Sequence, residues 1–129
     1  MITQEVIAYT LWGEARSEPI EGIQAVASVI YNRTRLYLAS HQSDLPEDAM
    51  QTVCLAPHQF STWSNGAFIQ ELPYDSPKWS TCLSIASSLS SGLFLPSINA
   101  TSYHANYCNP SWSNSLTLLC QIGKHLFYK

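Results

Sequence analysis

The fold is decided by a long apolar stretch in the first third of the chain, Ile20-Glu21-Gly22-Ile23-Gln24-Ala25-Val26-Ala27-Ser28-Val29-Ile30-Tyr31. Its apolar side chains occupy most sides of a helix instead of a single stripe, and a helix of that kind is buried nearly all round. We therefore predict a central helix that is capped by Ser17, has Glu18 in its first turn, and runs to about Leu38. Arg33 interrupts the apolar run near its end and is expected to pair with a buried carboxylate.

The segment before the central helix forms another helical pattern, which ends on a carboxylate. Thr3 is suited to cap this helix. Glu14 follows Leu11 at helical spacing, so it is expected among apolar side chains at the negative end of the helix. Both surroundings disfavour the charged form of an acid, and an acid that keeps its proton can donate it to a leaving group. Glu14 is therefore a candidate catalytic acid, while an ion pair with Arg16 or a capping role is the structural alternative.

The remaining elements follow from turn signals and periodicity. A short helix is predicted from Pro46 to Cys54, and a longer one begins at Ser76-Pro77, has an apolar stripe that ends on Leu93, and stops at Gly92. The C-terminal third changes to strand periodicity. Strands are predicted over 101–107, 118–122 and 125–128, with Gly123-Lys124 as a turn. The fold class is therefore α+β, mainly helical with a small antiparallel sheet formed by the C-terminal third.

One stretch without periodicity, residues 57–66, mixes aromatic, amide and hydroxyl side chains and includes Trp63. Aromatic faces can stack on pyranose rings, while amides and hydroxyls can bond sugar hydroxyls and N-acetyl groups. An ordinary loop whose aromatics are anchored in the core is equally compatible with this composition. The stretch is a candidate sugar-binding loop.

Composition limits the class of protein. At 129 residues and 46% hydrophobic, the chain is expected to form one domain, residues 1–129, with a core of its own. The net charge is −3 with only six Lys and Arg, which argues against nucleic acid as a partner. The first residues, Met1-Ile2-Thr3-Gln4-Glu5, lack the basic head of a signal peptide, and no stretch reaches about 18 apolar residues. We expect no export signal and no membrane insertion.

Cysteines and histidines give weak signals for disulfides and metal. The four cysteines are Cys54, Cys82, Cys108 and Cys120. They contain no Cys-x-x-Cys; if disulfides form, we expect 54 to pair with 82 and 108 with 120, and otherwise all four fill the core. His104 and His125 could lie on neighbouring strands, but no tight spacing supports a metal site. No metal and no other cofactor is predicted.

Six short runs, taken together and in order, resemble the cell-wall hydrolases of the SleB type, known from spore-cortex-lytic enzymes. The runs are Leu11-Trp12-Gly13-Glu14-Ala15-Arg16, residues 25–33, Gln59-Phe60-Ser61, Tyr103-His104-Ala105, Asn109-Pro110-Ser111-Trp112 and residues 122–128. The resemblance implies a lysozyme-like, mainly helical fold and lytic transglycosylase action on the glycan strands of peptidoglycan, with Glu14 as catalyst. It also implies that Gln59, Phe60 and Ser61 line the sugar-binding groove, and that Tyr103 and His104 face it from the sheet.

The number of available acids bears on the mechanism. Hydrolysis by the usual routes needs two carboxylates about 5 to 9.5 Å apart. Glu14 alone stands in a catalytic context, so we expect a transglycosylase that leaves 1,6-anhydro-MurNAc ends. Glu71 or Asp75 would be the second acid of a hydrolytic muramidase. A non-catalytic glycan-binding module and a metal-dependent amidase are further alternatives.

We expect this chain to differ from the spore enzymes in three ways: it shows no export signal, it shows no separate wall-binding repeat, and it contains four cysteines that are not associated with the family. The biological setting therefore stays open between spore germination, phage lysis and wall remodelling. The expected site of action is the cell wall or periplasm. The protein would reach it either as a phage lysin, which stays in the cytoplasm until it is released, or as a fragment of an exported protein. We expect a monomer.

Overall fold

The computed structural model describes residues 1–56, 59–65 and 76–129. Its elements, in chain order, are helices α1 (Thr3–Ala15), α2 (Ile20–Ser40), α3 (Pro46–Leu55), α4 (Thr62–Asn65) and α5 (Pro77–Ser91), strand β1 (Ser102–Ala105), a 3-10 helix (Ser111–Ser115), and strands β2 (Leu118–Ile122) and β3 (His125–Tyr128). None of the helices in these ranges combines the length and apolar content that a bilayer crossing requires.

Helix α2 is buried on most sides, as its sequence predicts. Its fully buried members include Ile23, Val26 and Ile30, and α1, α3 and α5 all pack against it. The predicted start is wrong, because α2 begins at Ile20 with Pro19 in the capping position. Glu18 therefore lies before the helix and not in its first turn.

Helix α1 packs mainly against α5 and α3. The prediction that Thr3 caps it is wrong, since Ile2 occupies the capping position and makes no side-chain cap. The Thr3 hydroxyl instead donates to Gln51 Oε1 of α3, at 3.1 Å. The Thr3 side chain, which the local pattern assigns to a cap, thus forms a tertiary hydrogen bond instead.

Helix α5 follows its sequence signals closely. The Ser76 hydroxyl oxygen accepts the backbone N–H of Lys78 at 3.2 Å, and Gly92 ends the helix in the left-handed conformation with φ 80°. That conformation suits glycine because it has no Cβ. Leu93, predicted as the end of the buried stripe, is instead 78% exposed, because the chain changes direction at Gly92.

The C-terminal third forms the predicted sheet, with strand order β1-β3-β2 and antiparallel pairing throughout. Strand β1 is shorter than predicted, at four residues. Gly123, with φ 57°, turns β2 into β3. The register places Tyr103 opposite Phe127 and Ala105 opposite His125, so the sheet brings Tyr103 and His125 to one face.

The four cysteines are free thiols, so neither of the two conditional pairs, 54–82 and 108–120, is formed, and the alternative that all four fill the core holds for only two of them. Cys54 and Cys82 are fully buried in the core. Burial raises the pKa of Cys54 to about 12 and the pKa of Cys82 to about 11, so both stay protonated. They act as small apolar core residues, while Cys108 is exposed and Cys120 partly so.

Candidate active site

Glu14 lies at the C-terminal end of α1, where its carboxylate accepts four hydrogen bonds. Oε2 receives the Ser61 hydroxyl at 3.0 Å, the Thr62 N–H at 3.1 Å and the Thr62 hydroxyl at 2.8 Å. Oε1 receives the Tyr103 hydroxyl at 2.6 Å. The expected apolar surroundings are therefore wrong: Leu11 is fully buried, whereas the Glu14 carboxylate extends beyond it into a polar, partly exposed setting.

Tyr103 is well suited to donate to this carboxylate. Burial raises the pKa of Tyr103 well above its ordinary value, and the charge of Glu14 and its hydrogen bond raise it further. The phenol therefore keeps its proton across the physiological range. Its short hydrogen bond fixes the direction in which Glu14 Oε1 points.

Gly13 allows Thr62 to approach Glu14. A Cβ on Gly13 would lie 2.1 Å from Thr62 Oγ1 and 2.5 Å from Thr62 Cγ2. No side chain fits at such distances. The absence of a side chain at this one helical position thus lets α4 supply two of the four donors.

Two adjoining cavities form a groove that meets at Glu14. The larger, about 470 Å³, is lined among others by Gln59, Ser61, Tyr103 and His104. The smaller, about 210 Å³, is lined among others by Arg16, Ser17, Glu18 and Lys124. Both cavities share the residues Gly13, Glu14, Ala105, Tyr107 and His125. The carboxylate thus faces an open channel that continues on either side of it.

The candidate sugar-binding loop contains residues that line the groove and residues that lie in the core. Gln59 and Ser61 are exposed and line the groove. The prediction that Phe60 lines it is wrong, because Phe60 is only 1% exposed and packs in the core. Trp63 packs against α1, where its Nε1–H donates to Thr10 Oγ1 at 2.8 Å, and it is absent from the described lining of both cavities. Pro57, His58 and Gly66 lie outside the described residues.

His104 lines the larger cavity in a fixed orientation. Its Nδ1 is 2.7 Å from the Ala105 carbonyl and its Nε2 is 2.8 Å from the Tyr128 hydroxyl. Because a carbonyl can only accept, Nδ1 is the donor. The ring also stacks on Tyr128, with centroids 5.2 Å apart, and meets Trp112 edge-on. His104 is therefore a rigid wall of the groove.

A family model described as Cell Wall Hydrolase matches residues 17–128, most of the chain. The chain belongs to the cell wall hydrolase family. It is 32% identical to the spore cortex-lytic enzyme of Oceanobacillus iheyensis over 126 residues, which are 97% of this chain and 41% of that protein. The match to the family model begins three residues after Glu14, so Glu14 is not itself covered by it.

Solved structures in this family confirm the predicted fold class and the SleB type. The chain is similar to the catalytic domain of the germination-specific lytic transglycosylase SleB from Bacillus anthracis, with a TM-score of 0.71 and 25% identity over 98% of this chain and 93% of that one. It is also similar to the catalytic domain of Bacillus cereus SleB, with a TM-score of 0.70 and 26% identity over 98% and 89%. The match to a mainly helical domain with a small sheet therefore extends across almost the whole chain.

Glu18 and His125 also line the groove, and the sequence analysis assigned neither of them to it. Glu18 is 3% exposed, and its Oε1 accepts the Lys124 N–H at 2.8 Å. His125 Nδ1 lies 3.3 Å from the same oxygen, within ion-pair distance but not aligned for a hydrogen bond. The Lys78 ammonium donates to the Glu18 carbonyl. The turn at Gly123-Lys124 could be predicted from the sequence, but its contact with Glu18 could not. An acid just before a proline at the start of a helix resembles an ordinary first-turn residue.

Among the residues that the structure describes, Arg33 does not form the predicted pair with a carboxylate. Its Nε donates to the Thr101 carbonyl at 2.6 Å, and its guanidinium lies 5.3 Å above the Phe60 ring. Burial lowers the pKa of Arg33 from its ordinary value. Arg16 likewise donates to the Trp12 and Gly13 carbonyls. Within the described ranges, neither arginine forms an ion pair, so Glu14 is not neutralised by direct contact with a cation.

His104 and His125 both line the larger cavity, but no third ligand joins them among the described residues. Across the ranges that the structure describes, no group of three or more His, Cys, Asp or Glu side chains is placed to hold a metal ion. His104 is instead held by the Tyr128 hydroxyl, and His125 faces Glu18.

Proposed function

We propose that this chain is a peptidoglycan-cleaving domain that acts as a lytic transglycosylase, with Glu14 as its single acid–base catalyst. The observation that carries the proposal is the position of the Glu14 carboxylate, which is fixed by four hydrogen bonds where the two arms of the groove meet. A glycan strand lying along the groove would pass its bonds directly over this carboxylate. Membership of the cell wall hydrolase family supports the same substrate.

The groove has the chemistry to hold sugars. Gln59 and Ser61 on one side offer amide and hydroxyl groups for sugar hydroxyls and N-acetyl groups. The His104 ring, whose two nitrogens are already hydrogen-bonded, forms the opposite wall. Tyr107 is 84% exposed and borders both arms, so its ring is available to stack on a pyranose. We assign substrate contact to these residues and not to Phe60 or Trp63.

The reaction needs one proton carrier. Glu14 protonates the oxygen that bridges MurNAc and GlcNAc, and the bond from that oxygen to C1 breaks. Glu14, now a carboxylate, takes the proton from the C6 hydroxyl of the same MurNAc as that oxygen bonds to C1. The products are a 1,6-anhydro-MurNAc end and a free GlcNAc hydroxyl. No water is consumed, and Glu14 ends the cycle protonated as it began.

A hydrolytic route would need a second carboxylate to activate water. Glu18 is the other described acid beside the groove, but it is buried and its Oε1 is committed to the Lys124 N–H and to His125. Glu18 is thus poorly placed to serve as a base for water. Glu71 and Asp75, the acids expected in that role for a muramidase, lie outside the described residues.

Digestion of purified peptidoglycan in ¹⁸O-labelled water tests the reaction. We expect anhydromuropeptides, identified by mass spectrometry as one water lighter than their hydrolytic counterparts and free of label. Labelled reducing ends from the earliest time point would overturn the transglycosylase and establish a muramidase. Cleavage of the stem peptide instead of the glycan would establish an amidase.

Glu14→Gln tests the catalyst. The amide oxygen can still accept from Thr62, and the Tyr103 oxygen can accept from the amide group, so the fold should be kept. We expect glycan cleavage to fall at least about 10²-fold, the usual scale for loss of a general acid. Glu21→Gln is the matched control, because Glu21 is exposed on the first turn of α2. A folded Glu14→Gln protein with wild-type activity would disprove the assignment.

A further inference from the structure

A continuous set of contacts links the buried Glu18 to the carboxylate of Glu14. Glu18 Oε1 holds the β2–β3 turn through the Lys124 N–H, and it faces His125 Nδ1 at 3.3 Å. The His125 ring lies against the Tyr103 ring, with centroids 4.9 Å apart. Tyr103 then donates its hydroxyl to Glu14 Oε1 at 2.6 Å. Each step is a direct contact between side chains that are buried or partly buried.

The turn is built to bring Glu18 close. A Cβ on Gly123 would lie 2.6 Å from Glu18 Oε2 and 2.9 Å from its Cδ. Glycine is therefore required there both for its positive φ and for the approach of the carboxylate. A buried acid needs hydrogen-bonding or charged partners to offset its desolvation, and the Lys124 N–H of this turn is such a hydrogen-bonding partner for Glu18. The segment between α1 and α2 is thereby fixed to the sheet that carries Tyr103.

His125 occupies the centre of this arrangement. It is 9% exposed and borders both arms of the groove. The charged or titratable groups around it are Glu18 before α2, Glu14 on α1, and Tyr103 and His104 on β1. Phe127, its neighbour on β3, meets its ring edge-on and also packs on Tyr103. His125 is thus confined on several sides while one edge of its ring supports Tyr103.

We propose that Glu18 and His125 are positioning residues that hold the Tyr103 ring, and through its hydroxyl the carboxylate of Glu14, in the orientation that proton transfer requires. Neither residue needs to touch the substrate. The role of Glu18 is to fix the turn and the imidazole, and the role of His125 is to limit the movement of the phenol. This assignment rests on the proposed function of Glu14 as proton donor.

A double-mutant cycle on soluble peptidoglycan fragments tests the proposal, with His125→Asn, Tyr103→Phe and the double variant compared with wild type. Positioning predicts that His125→Asn lowers kcat on the order of 10-fold with KM within about 2-fold, because the sugar contacts come from other residues. In the Tyr103→Phe background, the same change should alter kcat by no more than about 2-fold, because His125 acts on Glu14 through the Tyr103 hydroxyl, which that variant already lacks. His41→Asn is the matched control, since His41 is exposed at the end of α2.

Several outcomes would overturn the positioning role. These are kcat losses that multiply in the double variant, a rise in KM with kcat unchanged, and a loss of kcat that equals the unfolded fraction in a thermal melt. If His125→Asn does not fold, Glu18→Gln takes its place in the same cycle, because the amide oxygen still accepts the Lys124 N–H. Activity in Glu14→Gln would refute the proposed function itself, whereas an inactive Glu14→Gln with multiplicative losses refutes the positioning role alone.

Discussion

The close contact between Gly13 and Thr62 predicts that Gly13→Ala damages catalysis far more than stability. The new Cβ would lie 2.1 Å from Thr62 Oγ1, 2.5 Å from Cγ2 and 2.8 Å from Cβ. Carbon atoms pack at about 3.5 to 4 Å, so Thr62 must move by at least about 1 Å. Thr62 supplies two of the four hydrogen bonds to Glu14, and both are lost or lengthened.

Two opposing terms set the cost in stability. Alanine is more favourable than glycine in a helix by about 1 kcal/mol, while overpacking costs about 1 to 3 kcal/mol. The free energy of unfolding should therefore fall by about 0 to 2 kcal/mol. With an unfolding entropy of about 2.1 cal/mol/K per residue, 129 residues give about 0.27 kcal/mol/K, so Tm should fall by about 0 to 7 °C. A displacement of about 1 Å at a catalytic group can cost about 10²-fold in rate, which is the loss we expect.

Gly92→Ala is the control for this experiment. Gly92 has φ 80° and no neighbouring atom within 4 Å of the position that a methyl group would take, so the change adds backbone strain of about 1 to 2 kcal/mol without a clash. It should lower Tm by about as much as Gly13→Ala but leave the rate of muropeptide release unchanged. Circular dichroism melts and product release measured on the same preparations decide the matter. Activity of Gly13→Ala within about 3-fold of wild type would refute the reasoning.

Two further predictions concern the β2–β3 turn. Gly123→Ala adds a side chain at a positive φ and a clash with Glu18. It should therefore lower the free energy of unfolding, measured in urea, by about 2 to 4 kcal/mol, more than Gly92→Ala does. Equal losses in the two variants would mean that the Glu18 side chain moves aside without a cost in free energy. His125 has a pKa lowered mainly by burial from its ordinary 6.5, so its contribution to stability is full above about pH 6.5 and is lost as pH falls through the folded-state pKa. Urea unfolding at about pH 7.5 and about pH 5 should therefore show a smaller acid loss for His125→Asn than for wild type, and an identical loss would exclude His125 as its source.

The helices and strands were largely readable from the sequence, because their signals are local. The apolar residues of α2 lie on most sides of one helix, and the Ser76-Pro77 start and Gly92 end of α5 each depend on a few neighbouring residues. The C-terminal strands follow a period of two around the Gly123 turn. The helix boundaries were harder to predict: Thr3 and Ser17 have the chemistry of caps, but Ile2 and Pro19 occupy the capping positions of α1 and α2.

Glu14 itself was indicated by the sequence, since its place at the end of the first helical pattern is a local property. The composition of the loop that follows α3 could not separate Gln59 and Ser61, which line the groove, from Phe60, which is buried. A segment without periodicity carries no information on which side chains face inward. Only its packing against α1 decided that.

The donors around Glu14 and the role of Glu18 were decided by tertiary structure alone. Ser61 and Thr62 are 47 and 48 residues from Glu14 in sequence, and Tyr103 is 89 residues away. Glu18 meets the Lys124 N–H across 106 residues. Propensity and periodicity act over a few residues, whereas these contacts exist only because α2 is buried at the centre and the sheet closes against the end of α1. The sequence by itself thus determined which segments are helices and strands and which acid to suspect, and the packing of those segments determined what holds that acid in place.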